Sequence, residues 1–291
     1  MSWRVVVVSS SAKVDYKADY LVVRTIDKTE RVHIGEIGVL ILESTAVSVT
    51  AYLIYALTEH KVQILFCDPQ RNPYAELLPL HGSHDSSAKI RQQIAWPEPV
   101  KQEIWTELVR QKIYRQRNHL LHRNRPEAEL LTQYLTQLTF NDSTNREGHA
   151  AKVYFNALFG PEFTRSGTDP VNAALNYGYS LILSAINREI AAAGYLNQLG
   201  LHHENTYNPY NLACDLIEPL RPLVDRLVYD IQPQKLEKEE KTMLLKLFQQ
   251  TVTFDGKTQY LLYAIRLYCG SLFRALQSKD IAEIRWIEYE R

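Results

Sequence analysis

Short β-branched runs crowd the first eighty residues and then all but stop. Residues 5–8, 20–24, 31–34, 39–42 and 62–67 are rich in Val, Ile and Leu and are separated by charged or Gly-containing turns, which predicts five strands. Between the last two, residues 48–59 carry Tyr52, Ile54, Tyr55 and Leu57 with few turn formers, which predicts one helix. Loop formers then gather at 79–87. Beyond them, apolar residues recur at helical spacing through 90–95, 100–121, 128–138, 146–159, 171–193, 212–230, 236–252 and 257–276. Loops are expected at 141–144, 161–170 and 205–210. The pattern predicts an α+β protein, with a small N-terminal β-rich domain at 1–80, a linker at 81–97 and a larger all-α domain at 98–291.

Composition narrows the classes without choosing one. The 291 residues are 45% hydrophobic and 23% charged, an ordinary globular balance. Lys and Arg number 33, as do Asp and Glu, so any hold on nucleic acid must come from local patches or from a partner. Cys67, Cys214 and Cys269 are far apart and form no CxxC pair, which argues against a disulfide framework and a structural zinc site. No apolar run approaches the roughly 18 residues of a membrane span, and 5–8 is too short for a signal-peptide core. A cytoplasmic protein without membrane association is expected.

Four stretches carry candidate chemistry. Glu147 falls in the first turn of the helix predicted from 146, where it either caps that helix or serves a site. Asn172, Asn176, Ser180 and Ser184 make a polar stripe at intervals of four on an apolar helix. Such a stripe is either a satisfied helix contact or the wall of a polar cleft. In Gly200-Leu-His-His203 and the following segment, Asp215 and Glu218 stand three apart, so on a helix they share a face, with Arg221 one turn on. Pro219 and Pro222 imply a kink there. An imidazole with two carboxylates suits Mg²⁺ or Mn²⁺, whereas spacing alone equally allows a salt-bridged helix start. Finally, Arg110, Lys112, Arg115, Arg117, Arg123 and Arg125 form a run without an acidic residue, either a phosphate path or a solvated helix face.

Taken together and in order, Arg146-Glu147, Ala150-Ala151, Tyr154-Phe155, Asn172-Ala-Ala-Leu-Asn-Tyr-Gly-Tyr179, Gly200-Leu-His-His203 and Asp215-Leu-Ile-Glu-Pro-Leu-Arg-Pro222 resemble the CRISPR-associated protein one family, most closely its type II form. That resemblance implies an endonuclease and integrase that inserts short foreign DNA into a CRISPR array by transesterification, during the adaptation stage of antiviral defence. It implies Glu147, His203 and Glu218 as catalytic and metal ligands for Mg²⁺ or Mn²⁺, the Gly-x-x-His pattern selecting His203 over His202, with Asp215 nearby. The six basic residues from Arg110 to Arg125 are the expected DNA contacts. The resemblance also implies dimerisation and DNA contact through the first domain and catalysis in the second. Its partners would be double-stranded DNA, a second copy, the CRISPR-associated protein two and, in type II systems, the effector nuclease and an auxiliary ring protein. The rival readings are a non-catalytic DNA-binding scaffold and a metal-dependent hydrolase of a small phosphoester.

Overall fold

A computed structural model describes residues 4–77 and 83–289. Residues 79–82, where the expected loop begins and the expected linker at 81–97 starts, lie outside them. The chain runs β1 (Arg4–Val8), β2 (Ala12–Lys17), β3 (Tyr20–Arg24), β4 (Thr29–His33), β5 (Ile37–Leu42), β6 (Val47–Val49), α1 (Ala51–Glu59), β7 (Gln63–Cys67) and β8 (Pro73–Leu77). It continues with α2 (Ser86–Ile94), α3 (Glu98–His122), α4 (Ala128–Thr136), α5 (Arg146–Phe159), α6 (Pro170–Ala192), α7 (Asn211–Ile217), α8 (Arg221–Ile231) and α9 (Lys238–Leu245). The last elements are β9 (Thr251–Phe254), β10 (Lys257–Tyr260), α10 (Leu261–Ser278) and β11 (Ile287–Glu288).

The β-rich part holds two four-stranded sheets, ordered β1-β5-β7-β8 and β4-β3-β2-β6. In the first, β5 runs parallel to both β1 and β7, and all six of its residues are buried. A parallel strand covered on both faces reads as an unbroken apolar run, as Val39-Leu-Ile-Leu42 does. Alternation then divides its contacts. Val39, Ile41 and Leu65 join the large core built by the helices, while Leu40, Leu42 and Ile64 join a smaller core with α1 and the second sheet. One sheet thereby bonds the two parts. The expected linker region contains α2, which Gln93 ties to the helical body through Leu196 O at 2.8 Å and Leu199 O at 2.9 Å.

The α+β class holds, but the second part is not all-α. β9 pairs antiparallel with both β10 and β11, so a small sheet stands where 236–252 and 257–276 were expected to be helical. The reason is local: Thr251-Val-Thr-Phe254 alternates β-formers, and Asp255-Gly256 follows with φ of 51° and 73°, the two-residue turn that matches the twist of a hairpin. The expected kink at the prolines is present. A single 3₁₀ turn, Glu218–Leu220, separates α7 from α8.

Gly178 sets the distance between α6 and α8. A Cβ there would stand 2.4 Å from Val224 Cγ1, a stiff and fully buried side chain. Gly178→Ala is therefore expected to destabilise the protein by about 1–3 kcal/mol, although alanine favours a helix interior by about 1 kcal/mol. Urea unfolding followed by circular dichroism measures it, and an unchanged or raised midpoint contradicts the packing.

Candidate functional site

Three separated segments meet at the middle of α3. Asp142 accepts the backbone N–H groups of Arg146 at 2.7 Å and Glu147 at 3.0 Å, and Asn145 accepts that of Gly148 at 3.2 Å. Those two side chains cap α5, which leaves the Glu147 carboxylate free for another partner. Thr106 of α3 holds this loop by accepting the N–H of Asn141 at 2.7 Å. Across from it, Glu218 begins the turn between α7 and α8. Arg115 fixes that turn from α3 by donating to Pro219 O and to Ile287 O, each at 2.6 Å.

Between the two carboxylates stands Lys112. Its Nζ donates to Glu147 Oε1 and to Glu218 Oε2, both at 2.5 Å, and Arg221 Nε donates to the other Glu218 oxygen at 2.8 Å. The Lys112 and Glu218 side chains are 8% and 4% exposed, that of Glu147 27%. Burial alone would push the Glu218 carboxyl up, but Arg221 and Lys112 reverse this and hold it at about 2. That stabilisation is present above the unfolded carboxyl value of about 4.3 and is lost as pH falls toward 2. For Lys112, burial opposes the charge and the carboxylates of Glu218 and Glu147 outweigh it, so its pKa is raised.

The adjacent histidines divide their roles. The ring of His202 stacks on Trp105, centroids 4.2 Å apart and planes within 2°. The buried Asp215 accepts backbone N–H groups from Leu201 at 2.5 Å, His202 at 3.2 Å and His203 at 3.1 Å, and also bonds His203 Nδ1 at 2.6 Å. An ionised carboxylate only accepts, so Nδ1 carries the proton and Nε2 does not take part in this bond. Asp215 raises the His203 pKa against the opposing effect of burial, and Glu218 and Glu147 add to the rise. Gly200 is required for the close approach, since a Cβ there would lie 2.3 Å from His203 O. His203 also lines a cleft of about 740 Å³ with Lys101, Glu204, Asn205, Tyr207 and Asn211.

Two anionic carboxylates sharing one positive atom are the donor set that a hard divalent cation takes, so Glu147 and Glu218 fit the ion that the resemblance implies. Of the three expected ligands, the structure brings Glu147 and Glu218 to one cationic atom, Lys112 Nζ, while His203 bonds Asp215 instead. Among the described residues no three His, Cys, Asp or Glu side chains are grouped closely enough to hold a metal, because the ammonium of Lys112 fills the centre and Asp215 engages His203.

The basic run does not form one open face. Lys112 and Arg115, expected as DNA contacts, are buried and bonded within the protein. Arg110 pairs with Glu107 at 3.0 Å, and Arg117 lies over the ring of Tyr114. Arg123 pairs with Asp230, and Arg125 bonds the hydroxyl of Tyr229. The polar stripe is satisfied locally: Arg165 bonds Asn172 and Asn176, while Ser180 and Ser184 donate to carbonyls of their own helix. Sequence reasoning missed Asp225, buried on α8, which accepts the hydroxyl of Tyr179 and which burial pushes up to about 7.

The family described as CRISPR associated protein Cas1 matches residues 5–246. A protein named CRISPR-associated endonuclease Cas1 from Neisseria meningitidis serogroup C (strain 8013) is 33% identical over 297 residues, covering 98% of this chain and 96% of the relative. A casposase bound to integration product superposes with a TM-score of 0.76 at 18% identity, covering 96% of this chain and 92% of that one. A chain of a Cas6-RT-Cas1–Cas2 complex superposes with a TM-score of 0.75 at 19% identity, covering 97% of this chain but only 36% of the longer one.

Asp215→Asn is expected to return the His203 pKa toward 6.5 and to destabilise the protein by about 1–3 kcal/mol, since an amide cannot accept every donor that the carboxylate takes. In the native protein the raised His203 pKa contributes stability fully below about pH 6.5, and that contribution is lost as pH rises through the folded value. NMR titration of the ring protons checks both, and an unmoved His203 pKa in the variant contradicts the assigned bond.

Proposed function

This chain belongs to the Cas1 family of CRISPR-associated proteins, and on that premise we propose that it is a divalent-metal-dependent DNA endonuclease and integrase that inserts short DNA fragments into a CRISPR array. The observation that carries the reading is the convergence of Glu147 and Glu218, far apart in sequence, on one cationic nitrogen at 2.5 Å. Glu147, Glu218 and His203 are the proposed ligands of Mg²⁺ or Mn²⁺. A bound ion of this kind supplies Lewis-acid charge to a phosphate oxygen. Asp215 keeps the His203 ring in one tautomer and orientation by bonding Nδ1, which leaves Nε2 as the nitrogen available to a metal. Arg221 fixes the second Glu218 oxygen, and Arg115 fixes the turn that presents it.

Two reactions follow at the DNA phosphorus. A 3′-hydroxyl that attacks forms a new P–O bond as the bond to the leaving oxygen breaks, which is strand transfer; water in its place gives a nick. Arg110, Arg117, Arg123 and Arg125 are the remaining proposed DNA contacts, since each retains solvent exposure. The likeness to a casposase bound to integration product and to a chain of a Cas6-RT-Cas1–Cas2 complex supports duplex DNA and the CRISPR-associated protein two as partners. A homodimer completes the assembly, and in a type II system the effector nuclease and auxiliary ring protein join it. We place the protein in the cytoplasm; among the described residues no helix is long and apolar enough to cross a membrane.

With a short duplex, a supercoiled plasmid and Mn²⁺, the native protein is expected to give joined products. Glu147→Gln and His203→Ala are each expected to lose about 10²-fold or more of them, the several kcal/mol of charge stabilisation that an active-site ion provides. Duplex binding should survive in both. Full strand transfer by Glu147→Gln contradicts the assignment, and salt-dependent DNA binding with no divalent-dependent product in the native protein favours the scaffold reading.

A further inference from the structure

Lys112 is the one member of the basic run that lies between the carboxylates assigned to the metal. Its ammonium is buried at 2.5 Å from Glu147 Oε1 and 2.5 Å from Glu218 Oε2, while Arg221 holds the remaining Glu218 oxygen at 2.8 Å. Both Glu218 oxygens thus already carry a cation. An ion bonded to these carboxylates would stand about 2.0–2.6 Å from their oxygens, which is the position the ammonium fills. A divalent charge and an ammonium cannot share it, because like charges a few ångströms apart inside a protein repel strongly.

We infer that Lys112 is a resident counter-cation of this site, filling the ion's position in the metal-free protein and displaced from it when metal loads. The inference rests on the reading that Glu147 and Glu218 hold the ion. In the metal-free protein the ammonium keeps two carboxylates convergent that would otherwise repel each other across a buried gap. A lysine suits this role because it is a compact point charge on a flexible four-carbon stem, able to leave without dismantling a bidentate fork. The partly exposed side of the site, at Glu147, gives the displaced ammonium a way to water. Loading is then a competition. Where the ammonium occupies the position in about nine molecules of ten, apparent metal affinity lies about tenfold below that of the vacated site.

Lys112→Met keeps the length and apolar packing of the stem and removes the charge; Lys112→Gln replaces it should the Met variant not fold. Mn²⁺ is titrated into the full-length protein without DNA, by calorimetry and by the electron paramagnetic resonance of free Mn²⁺, and melting temperatures are taken in chelator and in Mn²⁺. The expected result is affinity about tenfold tighter in the variant, a lower melting temperature in chelator, and a larger rise on adding Mn²⁺ than in the native protein. Unchanged or weaker affinity with an equal rise overturns the inference and leaves Lys112 as a structural brace. Glu147→Gln separates the two levels. If Glu147→Gln abolishes Mn²⁺ binding and the Lys112 variant leaves it unchanged, the metal assignment stands and the lysine inference alone fails. If neither native nor Lys112-variant protein binds Mn²⁺, or if Glu147→Gln binds it normally, both fall together.

Discussion

One ammonium buried between two carboxylates holds this site together. Lys112 joins α3 to the first turn of α5 through Glu147 and to the turn between α7 and α8 through Glu218. Withdrawing these charges from water is costly, and such a cluster persists only where each member is paired and well placed. Arg221 completes it by pairing the last Glu218 oxygen, and its guanidinium lies over the ring of the buried Tyr179. Removing one charge from a cluster of this kind typically costs about 3–5 kcal/mol, more than a surface ion pair contributes.

The surrounding structure supplies the constraints that make the pairing possible. Asp142 and Asn145 satisfy the N-terminus of α5, so Glu147 is not drawn into capping. Arg115 and Tyr289 both donate to the Pro219 carbonyl, pinning the turn between α7 and α8. Asp215, without exposure, gathers the 201–203 backbone and the His203 ring onto α7. The β-rich part contributes at a distance: the helix-facing side of its mixed sheet closes the large core against which α3 and α6 are laid.

Much of this was legible in the sequence, and the failures have physical reasons. Strong apolar periodicity with clear end signals located α5 at 146–159, and the paired prolines located the break before α8. The small sheet in the helical part was missed although Asp255-Gly256, between two short alternating runs, is a strong hairpin signal; its strands are only four residues long and were absorbed into neighbouring helical patterns. Glu147, His203 and Glu218 were named through family resemblance, since spacing left capping and salt bridging open. Lys112 was named for the wrong surroundings. Its helical phase carried the correction: Lys112 lies four residues after Leu108 and seven after Trp105, and Arg115, Gln116 and His119 continue the same buried side of α3. A basic residue in phase with core positions points inward, toward acidic groups that only the tertiary fold reveals.

We propose that Glu147 and Glu218 form a cation position, the one at which the Lys112 ammonium bonds both carboxylates. Crystals soaked in saturating Mn²⁺ and measured for anomalous scattering test it most directly. The expected result is one strong peak bonded to oxygens of both carboxylates, with the Lys112 ammonium moved away from that point. A well-ordered site with no peak there, and Lys112 still bridging the two carboxylates, would contradict it.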